Sequence, residues 1–152
     1  EVLLDFKRFP EFMAYVKETE VLGTKDGVTR VRYLLDLPWP VGNRHYILRM
    51  KSGEETIGGV KVLSSNWTYE QGSGNITETK GHWRVTPYGK DRSLVDYEVL
   101  TDPGGNIPVW VQNKATAVAV PKVINGLRRE VARVLAIKNK KQQPQPEAQN
   151  AQ

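Results

Sequence analysis

Few side chains in this sequence could carry proton-transfer or covalent chemistry. Histidine occurs only at His45 and His82, and cysteine is absent. Without cysteine there is no thiol nucleophile, thiolate metal ligand or disulfide framework. The two histidines fall in different expected strands, and neither belongs to an HExxH or nucleophile–base pattern. Each therefore reads as a solvated or turn-capping residue. Asp96 and Glu98 share one strand face, which reads as the solvent side. Asp26-Gly27 and Ser73-Gly74 read as turns, and no GxxxxGK[ST] phosphate loop occurs. The catalytic and metal-ligating sets are therefore empty, and no cofactor is called for. What remains is recognition chemistry. Arg44 and Arg49, five residues apart, point to opposite faces of a regular strand, so one of them can meet a polar head group or a buried acid. Lys114, one helical turn from Trp110, is a candidate for the rim of a cavity.

The elements that must position these residues fit one domain. The chain has 152 residues, 39% hydrophobic and 26% charged, enough for a core without staples. Its net charge of +5 is scattered among acids and reads first as solubility. Attraction to anionic lipid surfaces or acidic ligands is the sharper reading. No basic stripe with interleaved aromatics points to nucleic acid. No run approaches the roughly 20 apolar residues of a membrane span, so a soluble protein is expected. No signal peptide is visible, but the chain starts at Glu1 inside a helical pattern, as a trimmed product would. The compartment, cytoplasmic or exported, stays open.

Residues 1–18 read as helix interrupted at Pro10, with Phe12, Met13 and Val16 on one side of a second short helix. From 19 to about 101 the period is two, the signature of half-buried strands, with turns at Asp26-Gly27, Gly58-Gly59 and Gly72-Ser73-Gly74. Short spacing between these strands predicts one antiparallel sheet. Residues 107–137 form a long helical pattern, with Pro108 in its first turn and Pro121 expected to kink or divide it. Residues 138–152, rich in Gln and Pro, are expected to be a disordered tail, leaving 1–137 as the domain.

A curved sheet gripping one long helix leaves a cavity between them if the two stand apart. The strand faces expected to line it carry Tyr33 and Leu35; Tyr46, Leu48 and Met50; Val62; Trp83 and Val85; and Tyr97 and Val99. The helix contributes Trp110, Val111, Lys114 and Val118. Aromatics with polar tips suit a site, since a purely packed core favours Leu, Ile and Val.

Three stretches then resemble the START domain, the lipid-binding branch of a helix-grip superfamily that also holds Bet v 1-like proteins and aromatic polyketide cyclases. They are Trp39-Pro40-Val41-Gly42-Asn43-Arg44-His45-Tyr46, Gly81-His82-Trp83 with Val95-Asp96-Tyr97-Glu98, and Asp102-Pro103-Gly104-Gly105-Asn106-Ile107-Pro108-Val109-Trp110-Val111-Gln112-Asn113. His45 departs from the resemblance, standing where the family has an acid. A first strand of the family is also missing from this chain. The resemblance implies an α+β helix-grip fold that binds and transports a lipid, sterol or other hydrophobic ligand without catalysis. It implies a monomer with transient membrane-surface contact, no nucleic acid partner, and Gly104-Gly105 as a hinge. A cyclase-like enzyme of the same fold is the alternative.

Overall fold

The computed structural model describes residues 1–39, 42–73, 76–105 and 107–142. The chain opens with two 3-10 turns, Val2–Leu4 and Phe6–Arg8, followed by a one-turn helix α1, Phe9–Phe12. Phe6, Phe9 and Phe12 recur every third residue, the repeat that stacks side chains along such tight turns. All three are buried, with edge-to-face rings 5.4 and 5.5 Å apart. Pro10 sits in the first turn of α1, where its missing N–H costs nothing. The expected helix does not extend to residue 18. Met13 is extended, Tyr15 adopts a φ of 66°, and a strand starts at Val16. A positive φ is uncommon for a tyrosine. Here the Asp36 N–H donates to the Tyr15 carbonyl at 2.9 Å, and Lys122 donates to its hydroxyl at 3.1 Å.

Six strands follow: β1 Val16–Lys25, β2 Val28–Leu35, β3 Arg44–Ile57, β4 Val60–Ser73, β5 Glu78–Tyr88 and β6 Arg92–Asp102. They pair in chain order as one antiparallel meander. Asp26-Gly27 and Gly58-Gly59 have positive φ at both positions, the two-residue hairpin turn whose twist matches the strands it joins. Gly72-Ser73 belongs to β4, not to a turn, and Gly74 lies outside the described residues. A register shift between Ile47 and Leu48 marks a bulge in the β3–β4 ladder.

Helix α2 spans Val109–Gln142 and is continuous through Pro121. Pro121 does not divide it, and it passes the expected end at Ile137. Residues 143–152 of the expected tail lie outside the described residues. Pro108 precedes the helix, and its carbonyl accepts the N–H groups of Val111 and Gln112 at 2.9 and 3.2 Å. The core joins Val31, Tyr33, Leu48, Met50, Trp67 and Trp83 of the sheet to the three N-terminal phenylalanines and to Val123 and Leu127 of α2. Every buried residue of α2 comes after Pro121: Val123, Gly126, Leu127 and Glu130. Gly126 lets the helix backbone meet α1, because a Cβ there would stand 1.9 Å from the Phe12 carbonyl oxygen. One turn on, the buried Glu130 carboxylate accepts from Arg133 at 2.8 Å and pairs with Arg8 at 3.0 Å.

Candidate functional site

The first half of α2 stands away from the sheet, and a cavity of about 1020 Å³ lies between them. That volume would hold roughly 30 waters at liquid density. Close-packed interiors leave few voids larger than a single water, so this space is built into the fold. Its floor is the concave face of β2–β6. One side is closed by Phe9, Met13, Ala14, Tyr15 and Val16. The wall is α2, through Val111, Lys114, Ala115, Val118, Ala119 and Val123. The mouth is bounded by Leu37-Pro38-Trp39 from the β2–β3 connection and by Trp110, with Trp39 92% exposed and Trp110 69% exposed.

Strand alternation explains the floor. Tyr33 faces Tyr46 across β2–β3, Met50 faces Trp67 across β3–β4, and Trp83 faces Tyr97 across β5–β6. Tyr33 stacks on Tyr46 at 5.6 Å and Trp83 on Tyr97 at 4.0 Å. Gly81 makes room for the Trp67 indole, since a Cβ there would come within 2.4 Å of the ring. Burial disfavours the phenolate and pushes Tyr97 up to about 12. Burial, with neighbouring tyrosines adding to it, raises Tyr33 and Tyr46 further. All three stay neutral at physiological pH and keep their O–H donors.

The polar groups among the apolar lining are few. Thr79 and Thr101 hydrogen-bond to each other at 2.8 Å. Gln112 donates to the Ile107 carbonyl at 2.9 Å, and Thr116 to the Gln112 carbonyl at 3.0 Å. Arg44, the first residue of β3, lines the cavity and is buried to 8% exposure. Its Nη1 donates to the Asn43 carbonyl at 3.0 Å, while its buried Nε has no partner among the described residues.

The structure brings together most of the residues singled out from sequence: Tyr33, Leu35, Tyr46, Leu48, Met50, Trp83, Tyr97, Val99, Trp110, Val111, Lys114 and Val118 all border the cavity. Val62 does not. Trp67 faces inward, so strand parity puts Val62 on the other side of β4, where it is buried outside the main core cluster. Val85 has the right parity but pairs with Leu63 and Val95, beyond the end of the cavity. Arg49 is exposed on the convex face, opposite Arg30; the hydrogen bonds from Arg30, with the charges of Arg30 and Arg49 adding to them, hold Glu70 below the usual carboxylate range. Of the two arginines, Arg44 is therefore the one at the cavity. Sequence reasoning missed Trp67, Ile76, Thr79 and the N-terminal side wall. Trp67 had a readable signal, for it anchors the odd-numbered parity of the run that contains Val62. Neither histidine borders the cavity; His82 pairs with Asp96 at 2.9 Å on the convex face. The Gly104-Gly105 turn is held from below: Asp102 accepts from the Gly104 N–H at 2.8 Å and from Thr77 at 2.9 Å. These two bonds keep the Asp102 carboxyl below its ordinary range.

Comparison with known proteins agrees with this architecture. The family described as "Polyketide cyclase / dehydrase and lipid transport" matches residues 1–128. An uncharacterized protein of Pseudomonas aeruginosa is 33% identical over 99 residues, covering 62% of this chain and 48% of that protein. Phosphatidylcholine transfer protein of Bos taurus is 28% identical over 137 residues, covering 84% of this chain and 63% of that protein. The chain thus spans less than two thirds of either curated relative. In structure, it superposes with TM-score 0.69 on a STAR-related lipid transfer protein fragment from Xanthomonas axonopodis. That match has 23% identity and covers 86% of this chain and 76% of that one. At that identity the likeness shows the fold, which is the START-type helix grip.

Proposed function

The chain belongs to the polyketide cyclase / dehydrase and lipid transport family, and on that premise we propose that it binds a lipid, sterol or similar hydrophobic molecule and carries it. The observation that supports this most is the cavity of about 1020 Å³, lined mainly by apolar and aromatic side chains. Burial supplies the holding energy. Each methylene removed from water gains about 0.8 kcal/mol, so an alkyl chain of roughly sixteen carbons gains about 13 kcal/mol before the cost of association. Arg44 is the internal polar contact for a head group, and Lys114 stands at the rim. A relative named for phosphatidylcholine transfer supports a lipid ligand.

No chemistry is proposed. Among the described residues no three His, Cys, Asp or Glu side chains cluster as metal ligands would, and both histidines lie off the cavity. Loading and release use the open end, where the first half of α2 moves relative to the sheet beside Gly104-Gly105. Trp39 and Trp110, exposed at the mouth, are amphipathic rings of the kind that settle at a membrane–water interface, and they support transient membrane-surface contact. No helix among the described residues is long and apolar enough to cross a membrane.

The test is native mass spectrometry of delipidated protein after incubation with vesicles of phosphatidylcholine containing oleate. A one-to-one lipid adduct is expected. Protein that emerges without an adduct and shows a collapsed interior would overturn the proposal.

A further inference from the structure

We propose that the cavity selects an amphiphile whose head is an uncompensated oxyanion, a carboxylate or phosphate monoester on an alkyl body, over zwitterionic and uncharged heads; this rests on the lipid-binding reading above. Among the described residues that line the cavity, the charged side chains are Arg44 and Lys114, and there is no aspartate or glutamate. A guanidinium cannot lose its proton at any ordinary pH. Arg44 is nonetheless nine-tenths buried, and among the described residues its hydrogen bond goes to a neutral carbonyl and its Nε has no partner. No carboxylate among the described residues forms an ion pair with it. A buried charge held this way is stable only when something compensates it. Among the described residues nothing of opposite sign pairs with it, so compensation falls to the occupant.

The remaining polar lining does not compete for that role. Thr79, Thr101, Gln112 and Thr116 are engaged with one another or with backbone. A guanidinium with free N–H groups suits a two-oxygen anion, because its fork matches carboxylate and phosphate geometry. A zwitterionic head would bring a cation as well. With no carboxylate in the lining, only aromatic faces remain to take it. On the cavity floor Tyr33 stacks on Tyr46 and Trp83 on Tyr97, so one face of each of these four rings is already covered, and Trp39 and Trp110 offer open faces only at the exposed mouth. An uncharged head would leave Arg44 as it is, buried and uncompensated.

The experiment is a set of binding titrations on delipidated protein at neutral pH, with four single-chain probes and inorganic phosphate. Oleate is expected to bind at least tenfold tighter than methyl oleate. Oleoyl lysophosphatidate is expected to bind at least tenfold tighter than oleoyl lysophosphatidylcholine. Arg44→Gln should erase both ratios, and Arg44→Lys, which keeps the charge, should retain part of them; circular dichroism checks that each variant is folded. If Arg44→Gln does not fold, the wild-type ratios decide alone. Equal affinity within each pair overturns the charge selection and leaves lipid binding standing. Failure of all four chain probes to bind overturns both. Displacement of oleate by millimolar inorganic phosphate would show that the site takes a free anion, and the inference would fall.

Discussion

Residues 109–120 and 122–142 belong to one helix, yet they meet the rest of the chain in different ways. The second stretch is pinned. Val123 and Leu127 enter the core, Gly126 lies against the Phe12 carbonyl, and Glu130 is held by Arg8 and Arg133. The first stretch is the wall of a cavity, with Val109 and Trp110 each 69% exposed and Val118 44% exposed. Their apolar residues look alike in sequence. The difference is made by the partner: the N-terminal phenylalanine cluster reaches the second half, while nothing packs under the first. Stability and ligand binding therefore fall mainly on separate stretches, with Val123 shared between core and cavity and Lys122 tied to the strained Tyr15 close to the boundary.

That division can be broken most directly at Gly126. Alanine there gains about 1 kcal/mol of helix propensity, but its Cβ would stand 1.9 Å from the Phe12 oxygen. A net loss of about 2–3 kcal/mol is expected from overpacking, a fall in melting temperature of roughly 5–10 °C. A variant with unchanged or higher stability by thermal melting would mean that the second half is not docked as described. Next in size is Glu130→Gln, which leaves Arg8 and Arg133 without their buried acid. About 2 kcal/mol of stability should be lost, less than for a fully buried pair because both arginines keep contact with solvent. Urea denaturation at neutral pH measures this.

The tyrosines of the cavity floor give a pH-dependent version of the same test. Their folded-state values lie above the ordinary 10, with Tyr97 pushed up to about 12. Between those values the unfolded chain loses protons that the folded chain keeps, so the unfolded state binds fewer protons and stability falls as pH rises. Denaturation midpoints should drop from pH 10 toward 12, and Tyr97→Phe should flatten that drop. The smallest effect on stability belongs to the first half of α2. Trp110→Ala should change stability by less than about 0.5 kcal/mol while slowing lipid uptake from vesicles. A large loss of stability there would erase the distinction between the halves.

Much of this fold was legible because strand alternation is a local code. Tyr33, Tyr46, Trp83 and Tyr97 could be placed on one face from parity alone. Parity did not fix phase where the sequence offered two apolar sets, so Val62 was chosen although Trp67 set the inward face. Parity is also blind to extent: Val85 points the right way but lies past the cavity's end. For Arg44 and Arg49 the same parity was enough, because Arg44 shares its phase with Tyr46, Leu48 and Met50 while Arg49 falls on the opposite face. The helical pattern assigned to residues 1–18 ignored the pairing partner that draws Val16 into β1 against Leu35. The end of α2 was placed too early because the lysines and glutamine after Ile137 carry no apolar period, although they are good helix formers.

On the proposed function, the space between the sheet and the first half of α2 is a ligand site and not a loosely packed core. Val99 lines this space and is 36% exposed, so a larger side chain there has room to enter. The most direct measurement compares wild-type protein with Val99→Trp for lipid adduct by native mass spectrometry, alongside thermal melting of both. The tryptophan is expected to occupy the cavity, cut the adduct at least tenfold and leave the melting temperature unchanged or raised. Undiminished lipid binding in a folded variant, or loss of the fold, would contradict it.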